Sequence, residues 1–131
     1  MKVLALDYGS ARTGVAVSDP TGTVARPVGV VERAATEAGL ARLAELVRAE
    51  NPERIVVGLP LTLRGERGEQ AIETERFVEA LRAAVDVPIE SFDERFTTTL
   101  AGRTASPSAE DARAAAHLLT SYLTWRSSRT S

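Results

Sequence analysis

The chain has 131 residues, of which 44% are hydrophobic and 26% charged, a globular composition that excludes wholesale disorder and a collagen-like chain. It contains no cysteine and one histidine, which excludes disulfide frameworks, thiolate zinc sites and multi-histidine metal sites. The net charge of −2 gives no overall attraction to nucleic acid, although residues 95–131 carry +3 and residues 31–94 carry −6.

Three short strands are predicted at the start of the chain, over residues 3–6, 13–18 and 23–31. Each is apolar and rich in β-branched residues, and turn residues separate them, including Asp19-Pro20-Thr21-Gly22. Such short turns connect only antiparallel neighbours. Pro27 lies inside the third strand and therefore predicts that this strand is at an edge of the sheet.

The remainder of the chain alternates helical and strand patterns. Amphipathic spacing predicts helices over residues 36–50, 69–85 and 109–125, with a short helix over 97–103. Continuous apolar runs predict strands over 54–59 and 87–92. Helical crossovers between strands make parallel pairs, so we predict a three-layer α/β domain: a mixed sheet with helices on its faces.

The length is that of one domain, which we assign to residues 1–125, followed by a polar tail at 126–131 that we expect to fray. No apolar stretch approaches the 18 residues of a membrane span, and Asp7 comes too early for a signal peptide. We therefore expect a soluble cytoplasmic protein.

Acidic residues follow two of the predicted strands. Asp7 ends the first strand beside Gly9, where little steric cover would leave its carboxylate open to a cleft; the alternative is an ordinary turn aspartate. Asp93 and Glu94 end the fifth strand at its carboxyl edge, where open α/β sheets place their sites. Strand alternation lets one of these two acids face the cleft, and the sequence leaves open which one.

A third acid, Asp111, opens the last helix. On spacing alone it is more consistent with a helix-capping role beside Ser108 than with a site. The alternative is that it faces Asp7. Three carboxylates meeting at one edge would repel one another unless cations lie between them, and Mg²⁺ or Mn²⁺ prefers such oxygen ligands. This chemistry is suited to phosphodiester hydrolysis.

Four ordered motifs carry a family resemblance. They are Asp7-x-Gly9-x-x-Arg12-x-Gly14, then Val57-Gly58-Leu59-Pro60, then Asp93-Glu94-Arg95-x-Thr97, and Asp111 with the alanines and leucines after it. In order and spacing they resemble the YqgF family, also called RuvX, a family of proposed pre-16S rRNA nucleases that is similar to RuvC Holliday junction resolvases.

The resemblance implies an RNase H-like fold, with a five-stranded sheet in the order 3-2-1-4-5, and an acidic site for Mg²⁺ or Mn²⁺. It implies that Asp7, Glu94 or Asp93, and Asp111 are the metal-binding and catalytic acids. It also implies that Arg12, Arg95 and Thr97 line the cleft. In RuvC the second acid comes from the fourth strand, where this chain has Val-Gly-Leu-Pro, so the fifth-strand motif would replace it.

Family members often carry a basic stretch before the last helix, where this chain has Thr104-Ala105-Ser106-Pro107-Ser108. Phosphate contacts dominate affinity for nucleic acid. We therefore expect weaker binding by the monomer, contacts from Arg64, Arg67 and Arg103, or a homodimer or partner that supplies the charge.

The resemblance implies a metal-dependent nuclease that processes the 5′ end of pre-16S rRNA. The first alternative is a Holliday junction resolvase acting on branched DNA, for which a two-fold dimer would be expected. Two further alternatives are a non-catalytic ribosome-biogenesis adaptor and a phosphate-binding module related to actin and sugar kinases, although the latter need two such domains.

Overall fold

The computed structural model describes residues 1–61, 64–94 and 107–130, with side chains over 110–128 in the last range. Its strands are β1 (Val3–Asp7), β2 (Arg12–Ser18), β3 (Ala25–Glu32), β4 (Arg54–Leu59) and β5 (Ile89–Asp93). Its helices are α1 (Glu37–Glu50), α2 (Glu69–Ala84) and α3 (Pro107–Thr130). The predicted helix over 97–103, and Arg95, Thr97 and Arg103 with it, lie outside the described residues.

The five strands form one mixed sheet in the order β3-β2-β1-β4-β5, which confirms the predicted order. β1 is antiparallel to β2 and parallel to β4, and β5 is parallel to β4. β3 occupies an edge, as Pro27 predicts, and the ladder between β2 and β3 shifts register near this proline. β1 and β5 therefore run in the same direction, and the acids at their carboxyl ends lie at the same end of the sheet.

Helices cover both faces of the sheet and divide the core in two. Alternate residues of β1, Leu4 and Leu6, pack with α1 and α2 around Leu43 and Phe77. The intervening residues of β1 and β4 pack with α3 in a second cluster whose members include Val3, Ala5, Val56, Leu119 and Tyr122. The three predicted layers are thus confirmed.

Most predicted boundaries lie within one or two residues of the observed ones, and the differences at β5 and α3 have a local explanation. β5 begins at Ile89 rather than at residue 87, because Pro88 has no N–H to donate to the ladder. α3 continues to Thr130 instead of ending at Trp125. Within that extension, the Arg126 guanidinium donates to the Tyr122 hydroxyl and the Ser128 hydroxyl donates to the Trp125 carbonyl, so side chains support the added turns.

The start of α1 is fixed by its cap and by close packing. The Thr36 hydroxyl oxygen accepts a hydrogen bond from the Gly39 N–H at 3.1 Å, as expected of an N-cap threonine. A Cβ atom on Gly39 would lie 2.2 Å from the Arg33 carbonyl oxygen and 2.6 Å from the Ala34 Cα. Only glycine lets the helix begin this close to the preceding turn.

No helix in the described ranges is both long enough and apolar enough to cross a membrane.

Replacing Gly39 with alanine is expected to lower the free energy of unfolding, although alanine is the better helix former. The added methyl group meets backbone atoms that cannot rotate away, and overpacking of this kind costs about 1–3 kcal/mol. Urea unfolding measures the effect. The control is Gly29→Ala, whose Cβ meets nothing within 4 Å; equal stability of the two variants would contradict the packing argument.

Candidate active site

Strand alternation directs the two residues at the end of β1 to opposite faces of the sheet. Val3 and Ala5 pack on the α3 side, so Asp7 faces that side too. Tyr8, the next residue, turns to the α2 side, where its ring stacks on Phe77 with ring centroids 4.5 Å apart. The carboxylate and the aromatic ring therefore border two different clefts.

Glycines flank Asp7 on both neighbouring strands. Gly14 is its direct partner on β2, and Gly58 follows Val57, the partner of Leu6 on β4. A Cβ atom on Gly58 would lie 2.8 Å from Glu94 Oε1. The Glu94 side chain thus lies over Gly58 and crosses the width of β4, which a larger residue at position 58 would prevent.

Asp7 and Glu94 form a hydrogen-bonded acid pair. Burial, the hydrogen bond to Asp7 and the nearby charges of Asp7 and Asp93 together raise the pKa of Glu94 to about 8, with burial the largest cause. Burial also raises the pKa of Asp7, with an added contribution from the charge of Asp111, whereas the bond from Glu94 lowers it. The Glu94 carboxyl is therefore the donor and holds the shared proton at neutral pH.

Asp111 reaches this edge from the first turns of α3. The Arg12 Nε donates to Asp111 Oδ2 at 2.7 Å. A Cβ atom on Gly14 would lie only 1.9 Å from the Asp111 carbonyl oxygen, so Gly14 admits the helix directly against β2. The predicted capping interpretation does not describe this residue, because α3 already begins at Pro107 and the carboxylate binds Arg12 instead.

The other predicted site residues are less central. Asp93 ends β5 opposite Leu59, and alternation places it on the sheet face opposite Glu94. Arg64 is exposed in the loop after β4. Arg67 is also exposed, and its Nε donates to Glu75 Oε1 at 3.0 Å, so a phosphate would compete with that carboxylate.

The oxygen-only donor set is suited to a hard divalent cation. Asp7 and Glu94 share a proton. A divalent cation would replace that proton, because the two carboxylates place their negative charge in one small region. Asp111 is close enough to affect the pKa of Asp7 but pairs with Arg12. Among residues 1–61, 64–94 and 107–130, no three acidic or histidine side chains already form a metal-binding group. The acid pair fits the implied cation, and Asp111 would have to exchange its partner to join it.

A pocket of about 140 Å³ opens beside the acid pair on the α2 side; we call it the Tyr8 pocket. Its walls are the turn after β1 and one face of α2, contributed by Tyr8, Gly9, Ser10, Gln70, Glu73 and Thr74. Pro60 and Glu94 complete it. The Tyr8 hydroxyl donates to Glu73 Oε1 at 3.2 Å, and burial and the Glu73 charge raise the pKa of Tyr8, which keeps it a donor.

The pocket residues and the role of Gly58 are not predictable from the sequence patterns considered above. Gly58 appeared only as part of a family motif, and nothing in an apolar strand indicates which neighbour crosses it. The α2 residues are spaced as an ordinary exposed helix face. An aromatic residue directly after Asp7 was the one available signal for the pocket.

The stability of the metal-free protein is expected to fall as the pH rises from about 4.5 to about 8. The pKa of Glu94 rises from its ordinary value of 4.5 to about 8 in the folded state, so within this window the folded state binds more protons than the unfolded state. Thermal unfolding in chelator at successive pH values measures this. Glu94→Gln should show a shallower decline, and the same slope in both proteins would contradict the assignment.

The chain is similar to a known protein family and to named proteins of that family. The family model described as "RuvX: Holliday junction resolvase" matches residues 1–125. A protein of Chloroflexus aggregans named "Putative pre-16S rRNA nuclease" is 46% identical over 99 residues, which are 76% of this chain and 70% of that protein. A protein of Syntrophomonas wolfei with the same name is 36% identical, and the match covers 94% of each chain.

Among solved structures, T. thermophilus RuvC in complex with a Holliday junction substrate is similar over 96% of this chain and 95% of that one, with a TM-score of 0.63 and 22% identity. This similarity confirms the predicted RNase H-like fold. The family model and the Syntrophomonas wolfei relative match nearly the whole chain, and the chain therefore belongs to the YqgF/RuvX family.

Proposed function

We propose that the protein is a divalent-metal-dependent nuclease that hydrolyses phosphodiester bonds at the edge of the sheet formed by β1, β4 and β5. The observation that carries the proposal is the half-buried acid pair, Asp7 and Glu94, next to Asp111 of α3. Membership of the RuvX family and relatives named as pre-16S rRNA nucleases support it. Perturbed carboxyl groups in a cleft are typical of catalytic sites.

Asp7, Glu94 and Asp111 would hold Mg²⁺ or Mn²⁺, which would supply activation of a water molecule and stabilisation of the leaving oxygen. The chain itself fixes where these acids lie. Gly58 leaves the space through which Glu94 reaches Asp7, and burial makes the pair a strong ligand for positive charge. Arg12 balances the charge of Asp111 until substrate or cation takes its place.

Substrate contact is proposed for cationic residues around this edge. Arg12 is 42% exposed and would bind a phosphate once released from Asp111. Arg64 and Arg67 lie exposed in the loop between β4 and α2, and Arg95, Thr97 and Arg103 complete the proposed set. Glu94 is the proposed metal ligand from the end of β5, and Asp93 is the alternative ligand.

For the substrate we propose structured RNA, with the 5′ end of pre-16S rRNA as the specific target. The basis is the name shared by relatives at 36–46% identity. The alternative substrate is branched DNA, favoured by the family description and the fold similarity to RuvC. A homodimer belongs to this alternative, because a junction presents two strands related by two-fold symmetry.

Cleavage of labelled RNA carrying an unprocessed 16S 5′ end, compared with a labelled four-way DNA junction, separates the two substrates. Each is incubated with Mg²⁺, Mn²⁺ or chelator. Preferential metal-dependent cutting of the RNA supports the maturation role, and preferential symmetric cutting of the junction supports the alternative. Binding without cutting of either by pure folded protein would favour an adaptor.

Asp7→Asn and Glu94→Gln are each expected to reduce cleavage by about 100-fold or more, comparable to the loss of one charge-stabilising group from an active site. Both changes are nearly isosteric, so circular dichroism and thermal unfolding should show intact folds. The matched control is Asp93→Asn. Cleavage by Asp7→Asn at the wild-type rate would refute the site, and loss in Asp93→Asn instead of Glu94→Gln would exchange the two acids.

Gly58→Ala is expected to reduce cleavage by about 10–100-fold, the range found for groups that position metal ligands. The added Cβ would meet only the Glu94 side chain and no backbone atom, so the protein should fold while the acid pair separates. Cleavage rates are measured with Gly29→Ala as the control. Full activity of Gly58→Ala would show that Glu94 need not cross β4.

A further inference from the structure

The proposed hydrolysis does not use the Tyr8 pocket. The pocket nevertheless shares Glu94 with the acid pair, and Tyr8 directly follows Asp7 in sequence. Its volume of about 140 Å³ is many times the roughly 10–15 Å³ that one water needs on a comparable measure. It therefore has room for a small planar group rather than for a single ion or water.

The charge of the pocket disfavours a phosphate as its occupant. Glu73 lies on one wall, and the negative charge of its carboxylate repels an anion. The part of a nucleic acid that carries no charge is the base. A neutral base also suits the aromatic wall, because base–aromatic contacts do not depend on charge.

The Tyr8 ring is held as a fixed surface. Phe77, which is fully buried, stacks on one face of it at an interplanar angle of 18°, and the hydroxyl is tied to Glu73. A ligand can therefore meet only the opposite face or the edge of the ring. Such a preorganised ring loses little conformational entropy when a base binds.

The hydrogen-bonding groups of the pocket favour a base that presents donors. The Glu73 carboxylate only accepts, and the Tyr8 hydroxyl occupies one of its several acceptor positions. Guanine alone among the four RNA bases presents two adjacent N–H donors on its Watson–Crick edge, which match the two oxygens of a carboxylate. Gln70 supplies an amide that can bond to the neighbouring carbonyl or ring nitrogen.

We propose that the Tyr8 pocket binds the base of a nucleotide adjacent to the scissile phosphate, and that Glu73 selects guanine at that position. This inference rests on the proposed nuclease function for the meaning of the position. The binding of the base itself does not depend on catalysis. The pocket thus assigns base selection to the α2 side of β1 and bond cleavage to the α3 side.

The first test measures binding without metal or cleavage. Wild-type protein labelled with ¹⁵N is titrated with guanosine, inosine, adenosine or cytidine in chelator, and amide shifts of Gly9, Ser10 and Gln70 are followed by NMR. Guanosine should bind about 10-fold more tightly than inosine, which lacks the 2-amino donor, in line with the value of a bidentate base contact. Equal affinities, or shifts confined to other regions, would overturn the proposal.

Two glutamates on α2 provide a matched pair of variants. Glu73→Gln should lose about 10-fold in guanosine affinity and keep its affinity for adenosine. Glu79→Gln carries the same change at an exposed position of α2 outside the pocket and should behave as wild type. Equal guanosine affinity in the two variants would refute selection by Glu73.

The second test reads base preference from cleavage. A structured substrate with randomised bases around the cut is digested with Mn²⁺, and the product ends are sequenced. Guanine should be enriched at one fixed position with wild type and Glu79→Gln, but not with Glu73→Gln. Unchanged preference in Glu73→Gln refutes the pocket while the nuclease stands; if no protein cuts, the nuclease fails and the nucleoside titration alone decides the pocket.

Discussion

The site depends on Asp7 standing between two strands that carry no side chain at its level. Gly58 on β4 leaves the gap across which Glu94 meets Asp7, and Gly14 on β2 admits the first turns of α3 with Asp111. Strands in a sheet are about 4.8 Å apart, so acids from β1 and β5 are separated by the width of β4. They meet only because that strand presents glycine at the crossing.

Carboxylates that lie close together in a partly buried place repel one another when they are ionised. At Glu94 a bound proton removes this repulsion, as its raised pKa indicates, and at Asp111 the ion pair with Arg12 offsets it. The Arg12–Asp111 pair is partly exposed, and such pairs add about 0–1 kcal/mol to stability. Its consequence is therefore the orientation and charge of the third acid rather than the stability of the fold.

Alternation along β1 separates the acid pair from the Tyr8 pocket by a single residue. Asp7 faces α3 and belongs to the acid pair, whereas Tyr8 faces α2 and anchors the pocket on Phe77. The sheet edge between them is shared, since Glu94 contacts Asp7 and also lines the pocket. A nucleic acid strand crossing this edge would thus present its phosphate to one face and a base to the other.

The sequence by itself determined the strands, the layers and the acids at the strand ends, because apolar periodicity, turn residues and strand alternation are local properties. The order 3-2-1-4-5, which the family resemblance implied, was confirmed, and β3 is the edge strand that Pro27 indicated. Only the tertiary structure decided that Glu94 rather than Asp93 contacts Asp7 and that Asp111 binds Arg12 rather than capping its helix. These contacts join residues about 90–100 positions apart, and they depend on the absence of side chains at Gly14 and Gly58, whose effect exists only once the strands lie side by side.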